Sequence, residues 1–276
     1  MIFLTVDDKN VPALGFGTWQ LRGKDCTAAV SKAIDIGYRH IDTAQVYENE
    51  AEVGAAISGC GIERKEIFLT TKVWMTKVKN GDLQTSVAES LKKLATDYVD
   101  LLLIHWPVKD VPFAEQMKAL QQVQQEGKAK LIGVSNFTVA QMKEVVESLK
   151  VRIVTNQVEY HPYLSQAPVL DYIGAHDMFL TAYSPLARGK VDNSHVLKTI
   201  AQKLGKTPGQ VALRWLLEQE NVAAIPKAGS EKHMRENFEI FDFSLTEEEM
   251  RQIHAEAKPD GRMISPDWAP AWDRAA

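Results

Sequence analysis

The 276-residue chain carries 32 Lys and Arg against 36 Asp and Glu, a formal charge of -4 spread along its length. With no basic block there is nothing to grip a phosphate backbone, so a nucleic-acid partner is not expected. The opening MIFLTVDDKN lacks a positive stretch, and no segment approaches the eighteen or so apolar residues of a membrane span, so neither an export signal nor an anchor is expected.

Cys26 and Cys60 lie in no CxxC or Cys/His spacing, which argues against a disulfide framework or a zinc site and for a reduced, cytoplasmic setting. In chain order, IFLTVDDKNVPAL predicts two short strands around an Asp-Asp-Lys-Asn turn, a hairpin suited to capping one end of a barrel. Eight short apolar or β-branched runs follow: GFGTW (15–19), YRHID (38–42), IFLTTK (67–72), YVDLLLIH (98–105), KLIGVSN (130–136), VTNQ (154–157), FLTAYS (179–184) and VAAIPK (222–227).

Helical signals lie between these runs. In DLQTSVAESLKKLA, Leu83, Val87, Leu91 and Leu94 share one face; Thr207 with Pro208 predicts a helix start, and Thr246 with Glu249 a capping box. Strand then helix, repeated, predicts an α/β chain of parallel strands joined by crossovers. Strand ends recur at intervals of roughly 20–45 residues, the scale of a (β/α)8 TIM barrel of about 250 residues. A doubly wound sheet would show the same alternation, and periodicity does not separate the two. No linker or low-complexity tract divides the chain, so a single domain over residues 1–276 is expected.

Unusual residues close the predicted strands: Asp42, Lys72, His105, Ser135 with Asn136, Gln157, Tyr183 with Ser184, and Lys227. In a parallel barrel those ends meet at one face, where barrel enzymes keep their sites. Singly, each has an ordinary reading: Asp42 as a helix cap, Lys72 as a solvated charge, His105 as a hydrogen-bonded core residue. Tyr47, five residues after Asp42, gives the set a chemistry. A tyrosine with its reference pKa near 10 is a slow proton donor at neutral pH. A lysine ammonium about 4 Å away, at an effective dielectric of about 20, would favour the phenolate by roughly 4 kcal/mol. Asp42 would hold and neutralise Lys72, and His105 would orient a carbonyl oxygen or assist proton transfer, depending on its tautomer. The set contains no nucleophile, metal cluster or paired carboxylates; it suits carbonyl polarisation, which also needs a hydride source.

These segments, together with GYRHIDTAQVYENEAEVG, TTKVW, LLLIHWP, GKAKLIGVSNF, NQVEYHPY, YSPL and IPKA followed by EN, resemble the aldo-keto reductases, in particular prokaryotic 2,5-diketo-D-gluconate reductase-like members, over almost the whole chain. The resemblance implies a (β/α)8 barrel, bound NADPH or NADH, and hydride transfer to an aldehyde or ketone. It implies Tyr47 as general acid, Lys72 and Asp42 as its tuning pair, and His105 as the orienting residue. Thr18, Asp42, Ser135, Asn136, Gln157 and Tyr183 are implied at the nicotinamide end, Ser184, Leu186 and Arg188 at the pyrophosphate, and Glu236 with Asn237 at the adenine. Trp19, Trp74 and Trp106, with Tyr47 and His105, would wall an apolar substrate pocket. No GxGxxG is present, which removes the main support for a dinucleotide-binding doubly wound sheet.

One segment departs from the family pattern. In IPKAGSEKHMREN, where an adenosine 2′-phosphate would sit, Ala228 and His233 stand where NADP-preferring members commonly carry serine and arginine. Lys227 and Ser230 remain, the latter expected to cap the following helix. A histidine mostly neutral at pH 7.5 cannot replace a bidentate guanidinium, so relaxed cofactor use, with NADH tolerated or preferred, is expected. The short loop after Trp106 and the brief, Pro-rich tail after Lys258 predict an open pocket mouth. The competing readings are a nicotinamide-binding regulatory barrel without turnover, and a metal-dependent barrel enzyme, which Lys72 would oppose. A small carbonyl substrate and a monomer are the expected partner and state.

Overall fold

The computed structural model describes residues 1–273, so the last three residues of the expected domain lie outside the described residues. Strands β1 (Phe3–Val6) and β2 (Lys9–Pro12) form an antiparallel hairpin in which Val6 faces Lys9. Asp7 and Asp8 alone make the turn, at φ 45° and 57°, the left-handed pair that a two-residue hairpin needs. The turn is shorter than the expected Asp-Asp-Lys-Asn because Lys9 and Asn10 are drawn into the strand pairing.

All eight predicted runs then form strands: β3 (Phe16–Gly17), β4 (His40–Asp42), β5 (Phe68–Val73), β6 (Val99–Ile104), β7 (Ala129–Ser135), β8 (Thr155–Glu159), β9 (Phe179–Tyr183) and β10 (Val222–Ala224). They lie in sequence order in one 8-stranded sheet with every neighbour parallel. A doubly wound sheet would reverse its order partway, which this one does not. The helices α1 (Gly23–Ile36), α2 (Glu50–Gly59), α3 (Asp82–Leu94), α4 (Phe113–Gln125), α5 (Val139–Lys143), α6 (Ala167–Gly174), α7 (His195–Leu204), α8 (Pro208–Leu217), α9 (Glu231–Phe238) and α10 (Glu247–His254) complete the alternation. Their predicted caps are in place. Thr207 accepts from Gln210 N–H ahead of Pro208, Thr246 and Glu249 cap reciprocally, and Leu83, Val87, Leu91 and Leu94 are buried.

The two edges of the sheet are hydrogen-bonded to each other. Gly15 N–H donates to Ala224 O (2.8 Å), Ala224 N–H to Ala13 O (2.8 Å) and Gly17 N–H to Pro226 O (3.0 Å). The glycines of GFG make this approach feasible: a Cβ on Gly17 would lie 2.7 Å from Ile225 O, and one on Gly15 would lie 2.9 Å from both the His40 ring and Ile225. The regular strand at GFGTW is two residues long and is bonded on both sides, Gly17 N–H to Pro226 O and Thr18 N–H to Asp42 O (3.1 Å).

Strand side chains alternate faces, so each inward row climbs in steps of two. The lowest inward layer is apolar: Phe68, Leu101, Leu131 and Phe179 cluster with Val6 and Val11 of the hairpin, which covers the N-terminal ends of the strands. A middle layer pairs its polar groups internally, His40 with Thr70 (3.2 Å) and Thr155 with Thr181 (3.2 Å). Two residues further along their strands stand Asp42, Lys72, His105, Ser135, Gln157 and Tyr183. Polarity thus rises from hairpin to C-terminal rim.

Gly17→Ala should lower stability by about 1–3 kcal/mol through overpacking, a fall of roughly 3–10 °C in the thermal midpoint. Gly59→Ala, in α2 with nothing within 4 Å of the added Cβ, should be neutral or stabilising. Thermal unfolding followed by circular dichroism compares them; equal midpoints would sink the closure argument.

Candidate active site

The Lys72 ammonium is fully buried at the end of β5. Its three protons have three acceptors: Asp42 Oδ1 at 2.5 Å, Thr43 O at 2.9 Å and Tyr47 Oη at 3.4 Å. Asp42 Oδ2 in turn accepts from Gln157 Nε2 at 2.9 Å. Burial pushes the lysine pKa down from its ordinary 10.5, and the attraction of Asp42 opposes that shift.

Tyr47 stands on a 3₁₀ turn, Gln45–Tyr47, fixed by two amide side chains. Gln45 accepts from Trp74 N–H (2.9 Å) and donates to Ser86 and Ser90 on α3. Asn49 donates to Thr18 O and Leu21 O and accepts from the Thr43 hydroxyl at 2.6 Å. The Tyr47 ring meets the His105 ring edge to face at 5.7 Å, and Trp74 packs against His105 at 5.3 Å. Burial, and then the Lys72 cation, hold the His105 pKa well below 6.5, so the imidazole is neutral; its Nδ1 has no hydrogen-bond partner.

The proximity of Lys72 to Tyr47 is as expected, but the direction of the Tyr47 shift is not. Burial, with the Asp42 charge adding to it, pushes the hydroxyl well above 10. Lys72 is compensated by its own carboxylate, so its field does not outweigh desolvation of the phenol. Tyr47 therefore keeps its proton throughout the neutral range, and the ammonium stands ready for charge that develops on the oxygen.

Above these groups opens a cavity of about 1310 Å³ that runs across the C-terminal rim. All the residues nominated from sequence line it except Lys72, Ser135 and Ser230. Lys72 lies beneath the floor. The Ser135 hydroxyl donates to Gln157 O (2.8 Å) and accepts from Asn136 Nδ2 (3.0 Å), so it holds the lining pair from behind. Ser230 caps α9, accepting from His233 N–H at 3.3 Å, as expected. Asn136, at φ 63°, also donates to His105 O and accepts from the Tyr183 hydroxyl, which leaves the tyrosine ring as the element's face toward the cavity. The loop after β9 is strained, with Ser184, Ala187 and Arg188 all left-handed, and its Arg188 guanidinium reaches 5.3 Å from the Trp19 ring across the cavity.

At the far rim, Ala228 is buried and His233 exposed, and no guanidinium lines that end. Arg235 is committed to Glu231 at 3.0 and 2.7 Å. Lys232, which no motif in the sequence marks, lines the rim along with Lys227. Also unforeseen were the start of α8 (Thr207, Pro208, Gly209) and the tail residues Met263, Ile264, Ser265, Pro266 and Trp268. The tail is brief, yet it forms a wall of the mouth expected to be open. Its signal was a run of apolar residues and Trp268 in a segment too polar and Pro-rich to be a helix.

The donor set fits a nicotinamide dinucleotide: an aromatic face and an amide at the floor, a strained loop with Arg188 midway, and two lysines at the far rim. No group of three or more His, Cys, Asp or Glu positioned for a metal ion occurs among the described residues, and no helix there is long and apolar enough to cross a membrane.

A family model described as the aldo/keto reductase family matches residues 13–258. Methylglyoxal reductase DkgB of Salmonella typhi is 41% identical over 267 residues, covering 95% of this chain and 99% of its own. Glyoxal reductase of Bacillus subtilis (strain 168) is 40% identical over 258 residues, 93% of each chain. A crystal structure whose description names a 2,5-diketo-D-gluconic acid reductase B superposes with a TM-score of 0.97 at 47% identity, covering 99% of this chain and 98% of that one.

In an NMR titration His105 should remain neutral at pH 6.5, where an ordinary imidazole is half protonated. Lys72→Met should raise its pKa by removing the cation that depresses it. A wild-type His105 titrating at or above 6.5 would contradict this electrostatic picture.

Proposed function

The chain belongs to the aldo/keto reductase family, and from that premise we propose that it reduces small, neutral aldehydes or ketones to alcohols, with NADPH or NADH as the hydride source. The observation that carries this reading is the buried Asp42–Lys72 pair aimed at the Tyr47 hydroxyl, beside a neutral His105, on the floor of a cavity long enough for a dinucleotide. We read the edge-joined sheet as a closed (β/α)8 barrel with the hairpin at its bottom, one domain over the whole chain.

A bound reduced nicotinamide supplies the hydride that no side chain can. The protein's part is to bind the carbonyl and deliver a proton. Neutral His105 donates one hydrogen bond to the carbonyl oxygen without adding charge, and the edge of Trp74 fixes its ring. As the carbonyl oxygen gains charge, Tyr47 gives up its proton to it. The phenolate left behind faces Lys72, whose ammonium stabilises it most in the transition state, when the charge appears. Asp42 keeps that ammonium aligned.

The substrate end of the cavity supports the neutral class. Trp19, Val46, Trp74, Trp106, Met263, Ile264 and Trp268 give the cavity that holds Tyr47 and His105 much of its apolar lining, and the Arg188 guanidinium stands 5.3 Å from the Trp19 ring. A neutral carbonyl needs no ionic partner among these side chains, whereas a carboxylate would have to draw on Arg188 to offset its lost hydration. The relatives named for methylglyoxal and glyoxal agree with a small uncharged carbonyl. At the adenine end, Lys227 and Lys232 serve as point charges for a 2′-phosphate while the bidentate contact is missing, which favours use of both cofactors.

Carbonyl-dependent loss of the reduced cofactor's near-ultraviolet absorbance tests the activity. Tyr47→Phe should lower kcat by roughly 10²–10⁴-fold with cofactor binding unchanged; retained turnover would overturn the assignment of the acid. The kcat/KM values with NADPH and NADH should lie within about tenfold of each other. His233→Arg should shift the ratio toward NADPH by roughly ten- to a hundredfold, the value of one charge-assisted contact.

A further inference from the structure

We propose that Glu159 is a positioning residue that clasps the C-terminal tail and so builds the substrate wall; the inference rests on the reductase reading of the cavity. Glu159 is the last residue of β8 and fully buried, two positions beyond Gln157 on the same face. It touches neither Tyr47 nor Lys72, and nothing in the proton delivery described above uses it.

Its contacts lead to the tail instead. Oε1 accepts from Met263 N–H at 2.8 Å and from His161 Nε2 at 3.0 Å, and Oε2 accepts from Ile264 N–H at 2.9 Å. The Arg262 guanidinium lies 3.9 Å from Oε2 without a hydrogen bond. The main chain of Glu159 is pinned separately, its carbonyl accepting from Gln166 Nε2 at 2.7 Å. The carboxylate is therefore free to serve the tail without holding the strand.

The tail after α10 has no helix or strand of its own through residue 273. Before the clasp it is tied at two points: Glu256 Oε2 accepts from the Ser194 hydroxyl at 2.8 Å, and Lys258 N–H donates to Tyr163 O, with Gly261 packed directly on that carbonyl. After the clasp, Arg262 stacks on Trp272 at 3.8 Å and Trp272 packs on Trp106 at 6.0 Å. Met263 and Ile264, whose backbones Glu159 holds, lead into Ser265, Pro266 and Trp268, which line the cavity. An ionised carboxylate accepts at both oxygens, and that suits two successive backbone donors. A glutamine would turn an amide donor toward one of them. The strand that carries Gln157 at the floor thus also sets the opposite wall.

Three proteins test this: Glu159→Gln, the chain ending at Gly261, and the two changes combined. Trypsin reports on the tail directly, because Lys258 precedes Pro259 and resists cleavage while the Arg262–Met263 bond does not. Glu159→Gln should be cut after Arg262 at least about tenfold faster than wild type, the mark of a locally released segment. The KM for a neutral carbonyl should rise about tenfold in Glu159→Gln and in the shortened chain, with NADPH affinity and thermal midpoint little changed. In the shortened chain Glu159→Gln should add no further rise in KM, since the tail contacts through which Glu159 acts on the wall are already gone and only its bond to His161 remains. Wild-type tryptic resistance in Glu159→Gln, an unchanged KM on tail removal, or a full Glu159→Gln effect in the shortened chain would each overturn the clasp. If no carbonyl is turned over by the wild type, the reductase reading falls, while the tryptic comparison still decides whether Glu159 holds the tail.

Discussion

The buried ion pair between Asp42 and Lys72 is the interaction on which the rest of the site depends. Taking each charge out of water costs several kcal/mol even after relaxation, and the attraction between them repays it only when every remaining donor and acceptor is matched. That condition is met by parts brought from distant stretches of chain: Thr43 beside β4, Tyr47 on its turn, and Gln157 from β8. Correct strand order and register are therefore prerequisites for a tolerable lysine, and the sheet's edge-to-edge hydrogen bonds hold that order. Removing either charge alone would leave the other buried and unpaired, the costliest change available at this face.

The pair also divides the labour between its neighbours. Because Asp42 cancels most of the lysine's field, Tyr47 is not acidified at rest; burial and Asp42 keep it protonated. Burial, with the residual Lys72 cation adding to it, keeps His105 neutral. A neutral imidazole and a protonated phenol are both donors, and both point to the chemistry of an oxygen acquiring negative charge. The spacing of Asp42, Tyr47 and Lys72 in sequence suggests a phenol acidified by the lysine, but desolvation of the buried phenol outweighs that field and the resting shift runs upward.

Much of the fold is legible because each strand announces itself by a short apolar run, and several helices by an apolar face, as in Leu83 to Leu94, or by a cap, as at Thr207, Ser230 and Thr246. The strand ends were legible for the same reason: a lysine after IFLTT or a histidine after LLLI has no reason to be there unless something accommodates it. What could not be read were contacts set by packing alone. Nothing local in Ser135 says that its hydroxyl turns back to Gln157 O, nor in Lys232 that it faces the cavity while Arg235 turns away to Glu231. The reach of the tail does not follow from its length; a segment without periodicity is placed by long-range bonds, and those to Glu159 span more than a hundred residues of sequence.

Strand β8 ties these observations together. Its Gln157 reaches inward to Asp42 and its Glu159 reaches over to Met263 and Ile264, so one rigid element fixes both the charged floor and one apolar wall. Side chains on strands keep their geometry better than those on loops. The floor, where Asp42, Lys72 and Tyr47 must keep their mutual distances, is built from strand ends and one doubly anchored turn. The wall is built from a tail without helix or strand, whose few internal bonds are local ones such as Ala269 N–H to Pro266 O (2.8 Å) and Trp272 Nε1 to Ser265 Oγ (3.0 Å). A buried carboxylate lends that tail the rigidity of the strand.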